Sequence, residues 1–175
     1  MPYWGFAGSP WAIDDVVVVG ASGRLMAYEK ETGEPRWLIH EGTGYSSPHL
    51  ATIAGVEQIV FLSSAGAIGV SPDDSTVHWR HAGGGEPIVQ PGLSDDGGVF
   101  VAATGMTGGA ELVRLAVAHG PSGWSVEEAW STRGLKPYFS DFVVHEGYAY
   151  GFDGSLLSSI DLSDGQRAWK GGRYG

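Results

Sequence analysis

Four tryptophans, Trp37, Trp79, Trp130 and Trp169, each close a copy of the same local pattern, and this repetition constrains the fold more than any other feature of the chain. The first copy runs from Val16 to Trp37 and the fourth from Tyr148 to Trp169. Both set a glycine (Gly33, Gly165) four residues before the Trp and an acidic residue (Glu29, Asp161) eight before it. The second copy ends at Trp79 with Ser75 in the place of the glycine. The third ends at Trp130 and is lengthened by an insertion around His119 to Gly123. A unit recurring at about 40 residues marks a repeat architecture, in which no single unit can bury its own apolar face.

The apolar runs between these tryptophans are short, β-branched or aromatic, and bounded by Gly, Asp, Ser or Pro, so they read as strands. Val16–Val19, Ile59–Leu62, Val99–Ala102 and Tyr148–Phe152 are the clearest. Glu111–His119 is the one stretch with a helical look, yet Leu112, Arg114 and Ala116 alternate with Val113, Leu115 and Val117 as a strand requires. Further strand signals lie at Ser9–Ile13, Ser46–Leu50, Pro87–Pro91 and Tyr138–Val143. Each unit therefore holds four strands, the content of a β-propeller blade. The expected fold is all-β, with four consecutive four-stranded antiparallel blades at about 8–42, 45–83, 86–133 and 137–171 of a single domain, 1–175.

That many hairpins need many turns, and Gly accounts for 29 of the 175 residues. Turns are expected at Ala21–Gly23, Asp95–Gly97, Glu146–Gly147 and Asp153–Gly154, where glycine takes positive φ at little steric cost. Each Trp would sit on an outer strand and pack against a neighbouring blade, with Gly33 and Gly165 offering bare backbone on which a ring can lie flat.

The 10 basic residues face 20 acidic ones, a net charge of -10, with no basic run to release counterions from nucleic acid or to meet anionic lipid. Neither is an expected partner. Cysteine is absent, which removes disulfides, thiolate metal sites and thiol nucleophiles together. Residues 1–10 have no basic segment followed by an apolar stretch, so no signal peptide is read there, and no apolar run is long enough to cross a membrane.

Catalytic patterns are missing. The six histidines keep no metal-binding interval, and His78 and Arg80 share one strand face with Trp79 and His81 on the other. Gly83–Gly85 has neither a following helix nor a Gly-Lys-Ser/Thr, and reads as a turn. Asp161–Gly165 lacks the alternating ligands of a calcium loop. Asp14–Asp15, Asp73–Asp74 and Asp95–Asp96 fall in predicted turns, where Asp bonds its own backbone. The polar residues of the strands expected to line a central channel, His49, Gln90, Ser140 and Asp141, are the candidates for a small-molecule or ion site. No catalytic, cofactor-binding or metal-ligating residue is assigned.

The residues Ala27, Glu29, Thr32, Gly33 and Trp37 resemble the tryptophan-docking motif of the PQQ-like (pyrroloquinoline-quinone-like) β-propeller repeat, Ala-x-Asp-x-x-Thr-Gly-x-x-x-Trp. Ser159, Asp161, Asp164, Gly165 and Trp169 are similar to it. The second copy departs at Gly69, Ser71, Asp74 and Ser75, and the third keeps little beyond Trp130. Taken over the whole chain, the resemblance is to the bacterial PQQ-like propeller proteins that include the outer-membrane assembly factor BamB. It implies a seven- or eight-bladed parent, of which four blades are half, with two open sheet faces that would seek a partner or a second copy. It also implies a non-catalytic scaffold for protein–protein interaction in the periplasm, without a cofactor. Two alternatives stand beside that reading. One is a quinoprotein dehydrogenase using PQQ and Ca²⁺, whose vicinal Cys pair this chain cannot supply. The other is a small-ligand or carbohydrate-binding propeller using Tyr138, Phe139, Tyr148 and Tyr150.

Overall fold

The computed structural model describes residues 5–83, 87–103 and 111–174. Most of the run read as a turn at Gly83–Gly85 lies outside them. Among the described residues there is no helix, and sixteen strands form four separate sheets. The first sheet is β1 (Trp11–Ile13), β2 (Val16–Ala21), β3 (Arg24–Glu29) and β4 (Pro35–His40). The second is β5 (His49–Ile53), β6 (Val56–Ser63), β7 (Gly66–Val70) and β8 (Val77–Ala82). The third is β9 (Gly92–Leu93), β10 (Val99–Ala103), β11 (Glu111–Gly120) and β12 (Gly123–Thr132), and the fourth β13 (Val143–His145), β14 (Tyr148–Asp153), β15 (Leu156–Asp161) and β16 (Arg167–Gly171). Each is an antiparallel meander in chain order. The molecule is a partial β-propeller of four blades, and its ring is not closed.

Hairpins of two central residues at positive φ match the right-handed twist of the strands they join. Ser22–Gly23, Ala54–Gly55 and Glu146–Gly147 have this conformation. Ala54 carries none of the usual turn chemistry, and the turn there escapes a reading based on residue type.

The first strand of each blade is shorter than its sequence signal. Pairing begins only at Trp11, His49, Gly92 and Val143. The residues before these points include Pro10, Pro48, Pro87 and Pro91, which have no N–H to give to a ladder.

One irregularity recurs in all four sheets. The register of the outermost strand pair shifts between Ala27 and Tyr28, Gly69 and Val70, Arg114 and Leu115, and Ser159 and Ile160. Each shift falls just after the residue that faces the repeat tryptophan: Ala27 pairs Trp37, Gly69 pairs Trp79, Arg114 pairs Trp130 and Ser159 pairs Trp169. A bulge strengthens local twist, so the four blades keep one geometry although Ala, Gly, Arg and Ser occupy its key position.

Packing is between blades. Val18, Leu25 and Ala27 of the first meet Ile59, Phe61, Ile68 and Val70 of the second. The other face of the second, with Val60, Leu62 and Trp79, meets Val99, Val113 and Leu115. Phe100 and Leu112 of the third meet Ala149 and Ile160 of the fourth. Period-2 alternation therefore buries both faces of the two middle blades and one face of each end blade.

Candidate functional site

Two sets of blade-to-blade bonds involve sequence-predicted residues, one at the segments that open the blades and one at the last strand pair of each blade. At the opening segments, the Ser9 N–H donates to Ser47 Oγ at 2.8 Å, the Ser47 N–H to Gln90 Oε1 at 2.7 Å, and the Gln90 N–H to Asp141 Oδ1 at 2.7 Å. Each of the first three blades thus gives a backbone donor to a side-chain oxygen of the next. Ser46 Oγ adds a second bond to Gln90 Oε1 at 3.4 Å. Such bonds satisfy backbone that the prolines keep out of the ladders.

His49 stands beside this belt, its ring 5.3 Å from that of Trp11. Burial pushes its imidazole below the usual range, against the opposing pull of Gln90 and the Asp141 carboxylate. Ser140 is exposed. Of the four channel candidates, Gln90 and Asp141 are therefore joined in one chain of bonds, with His49 at its side.

At the outer strands, the tight turn between the third and fourth strands is built alike in three blades. The Glu29 N–H donates to Glu34 O, the Ser71 N–H to Thr76 O and the Asp161 N–H to Gln166 O, each at 2.8 Å. Thr32, Asp74 and Asp164 occupy one position in it, each side chain accepting from the N–H two residues on, at 3.2, 3.0 and 2.9 Å. Gly33, Ser75 and Gly165 occupy the next, at φ +73°, +63° and +74°. Ser75 thus takes the left-handed conformation that glycine favours. The acidic position differs. Asp161 Oδ1 accepts from the Ser163 N–H at 2.8 Å, whereas Glu29 pairs with Arg36, which also reaches Asp15.

Tryptophans from the preceding blade meet this turn. Trp37 Nε1 donates to Pro72 O at 2.8 Å, and Trp130 Nε1 donates to Leu162 O at 3.0 Å. Pro72 and Leu162 are the same position of the second and fourth turns. A Cβ added to Gly165 would stand 2.7 to 3.2 Å from Trp130 ring atoms, so the indole lies on bare backbone there. The third copy, although its motif is faint, makes a complete contact. Arg114, at its alanine position, donates from Nη1 to the same Leu162 O at 2.9 Å and stands 5.8 Å from the Phe100 ring.

Trp79 departs from the pattern. Its Nε1 donates at 2.6 Å to Gln58 Oε1 of its own blade, and its ring lies over Gly69, where a Cβ would come within 2.1 Å of Nε1. The third blade shows why. Its β11 and β12 continue to Gly120 and Gly123 as one long hairpin, so the tight turn that would accept the indole is absent. Trp124 from this hairpin stacks between His78 and His119, at 5.0 and 4.6 Å, and His81 Nε2 meets Glu128 Oε1 at 2.8 Å. These contacts tie the second blade to the third. Only Gln58 and the length of the hairpin could have signalled the exchange.

Trp169 and Gly33 are the end members. Trp169 is 45% exposed, and nothing lies within 4 Å of a Cβ added at Gly33. Converting the two glycines to alanine is therefore expected to have unequal effects. Gly33→Ala carries only the left-handed strain of about 1 kcal/mol, whereas Gly165→Ala also displaces Trp130 and costs about 2–3 kcal/mol in urea denaturation. Equal losses would show that the ring does not need the bare backbone.

The sequence model of the family described as outer membrane protein assembly factor BamB matches residues 5–170. The chain belongs to this family. Among solved structures, the BamB of Moraxella catarrhalis is similar at 16% identity and a TM-score of 0.60, over 94% of this chain and 49% of that one. A europium-containing methanol dehydrogenase is similar at 12% identity and a TM-score of 0.72, over 97% of this chain and 46% of that one. The chain thus spans about half the length of both, and at these identities the likeness is one of fold. No curated protein matches the sequence. Membership of the BamB family accounts for the PQQ-like propeller without deciding chemistry, because one fold carries many functions.

This chain does not supply the vicinal Cys pair expected of a quinoprotein dehydrogenase. There is no Cys in the sequence, and no group of three or more His, Asp or Glu that could hold a metal ion occurs among the described residues. The four aromatics named for ligand binding fall into two pairs. Tyr138 meets Phe139 edge-on at 4.2 Å, and Tyr148 lies 6.2 Å from Tyr150 on the uncovered face of the fourth blade. No described helix is long and apolar enough to cross a membrane.

Proposed function

We propose that the chain is a non-catalytic scaffold, a propeller module that presents its rim and inner face to a partner protein. The observation that carries this reading is the belt of bonds at the segments that open the blades. The side-chain oxygens of Ser47, Gln90 and Asp141, where a propeller would hold a ligand, are already accepting bonds from neighbouring blades. Membership of the BamB family supports a protein partner and a periplasmic location for the parent protein. The net charge of -10 favours neither nucleic acid nor an anionic membrane surface as the partner. The tryptophan and turn contacts serve, on this reading, to interlock the blades.

The enzyme reading rests on the fold likeness to a europium-containing methanol dehydrogenase. Thermal denaturation with PQQ and either Ca²⁺ or Eu³⁺ separates the two. A ligand at 100 times its Kd adds about 2.7 kcal/mol to stability. The scaffold reading expects no rise in Tm, and a saturable rise needing both PQQ and the metal ion would overturn it.

A further inference from the structure

We propose that a cavity between the second and third blades binds a small organic cation, an ammonium group carried on a compact apolar body. Both blades have a neighbour on either side, and the site is independent of the scaffold role.

The space comes from a single departure from the repeat. With the strands aligned on the residue that pairs each repeat tryptophan, Leu25, Leu112 and Leu157 hold one position in the first, third and fourth blades, and Ala67 holds it in the second. Leu25 and Leu112 are fully buried and pack against the following blade. Ala67 is buried in the same direction, in a cluster with Leu62, Val101 and Val113, but its side chain stops short. A cavity of about 180 Å³ remains beside these four residues. An apolar cavity of ~150 Å³ holds benzene, which sets the size of the body that fits.

The charge of the ligand follows from the rest of the wall, where Glu111, Glu128 and His81 line the cavity. The His81 bond at 2.8 Å engages one of the two carboxylate oxygens of Glu128. Glu111 has Arg133 as its counter-charge at 3.8 Å, on a side chain 82% exposed, and a pair so loose and solvated offsets little. Two carboxylates at one side of an apolar wall suit a ligand that is positive at one end and apolar at the other, and they repel an anion of the same shape. Among the described residues no group of three or more His, Asp or Glu could hold a metal ion, so an organic cation fits the wall better than a bare one.

Titration of the chain with benzylamine, followed by ¹H–¹⁵N NMR, tests this. Saturable shifts are expected at the amides of Ala67, His81 and Val113, with a Kd on the order of 1 mM, the scale for a ligand of so few heavy atoms. Benzyl alcohol, of the same shape but neutral, should bind at least about tenfold more weakly, and benzoate not at all. The double variant Glu111→Gln, Glu128→Gln should weaken benzylamine by about tenfold or more and leave benzyl alcohol unchanged. Ala67→Leu, which restores the residue of the other three blades, should abolish binding of both. The dispersion of each variant's spectrum establishes that it is folded, and if Ala67→Leu is not, the glutamate variant decides. Absence of saturable shifts, shifts centred elsewhere on the chain, benzyl alcohol or benzoate binding as tightly as benzylamine, or benzylamine binding indifferent to the variants would overturn the proposal.

Discussion

Trp130→Ala is expected to lower the free energy of unfolding by about 3–4 kcal/mol, the range for deleting a large aromatic from a packed site. Three things are lost together. The indole covers Gly165, donates to Leu162 O at 3.0 Å, and lies 5.7 Å from the fully buried ring of Phe100. The ring is needed more than the donor, because Arg114 Nη1 still serves the Leu162 carbonyl at 2.9 Å when the indole N–H is removed. Trp130→Phe should therefore cost only about 1 kcal/mol. Trp169→Ala removes a half-exposed ring and should cost about 1 kcal/mol. Urea denaturation of the three variants decides it. If Trp130→Ala and Trp169→Ala prove equally costly, the indoles do not derive their value from the following blade.

The second large effect is expected at Asp153, whose side chain is only 8% exposed and faces three cations. Lys136 Nζ lies at 2.9 Å, Arg167 Nη2 at 2.8 Å and Lys170 Nζ at 2.6 Å. This cluster ties the segment before the fourth blade and the last strand to the end of β14. Asp153→Asn leaves three positive charges converging on a neutral group, which is expected to cost about 2–3 kcal/mol. That is below the ~3–5 typical of a fully buried pair, since the cations are partly exposed and can turn to water. Burial alone would raise the Asp153 pKa, but the bonds and charges of Lys170 and Lys136 outweigh it and hold the carboxyl below its usual range. A depressed folded pKa means that the stabilisation is complete above the unfolded value of about 3.9 and is lost as pH falls through the folded one. The gap between the wild-type chain and Asp153→Asn should be flat from pH 5 to 8 and close in stronger acid. A gap that instead widens on acidification would refute this assignment.

How far the molecule is legible in its residues depends on the range of the interaction. Strand alternation, the four repeat tryptophans and the glycine turns are local properties, and they place all four blades. The Glu111–Gly120 strand is recovered for the same reason, since its alternation outweighs its helical look. Proline chemistry is also local, but its consequence is not: the segments read as inner strands hold few ladder bonds and instead carry the belt through Ser47, Gln90 and Asp141. The polarity of His49, Gln90, Ser140 and Asp141 was visible in the sequence, whereas the bond that joins Gln90 to Asp141 was not.

By itself the sequence determined the repeat, the strand content and the turns, because these follow from side-chain period and backbone φ within a few residues. Only the tertiary structure decided which partner each tryptophan meets, because an indole finds its acceptor about 30 residues away on the next blade. Trp79 turned to Gln58 once a longer hairpin had removed its acceptor, and two glycines with the same φ, Gly33 and Gly165, came to differ only in whether another blade lies above them. Such adjacency is a property of the assembled ring, to which no single repeat has access.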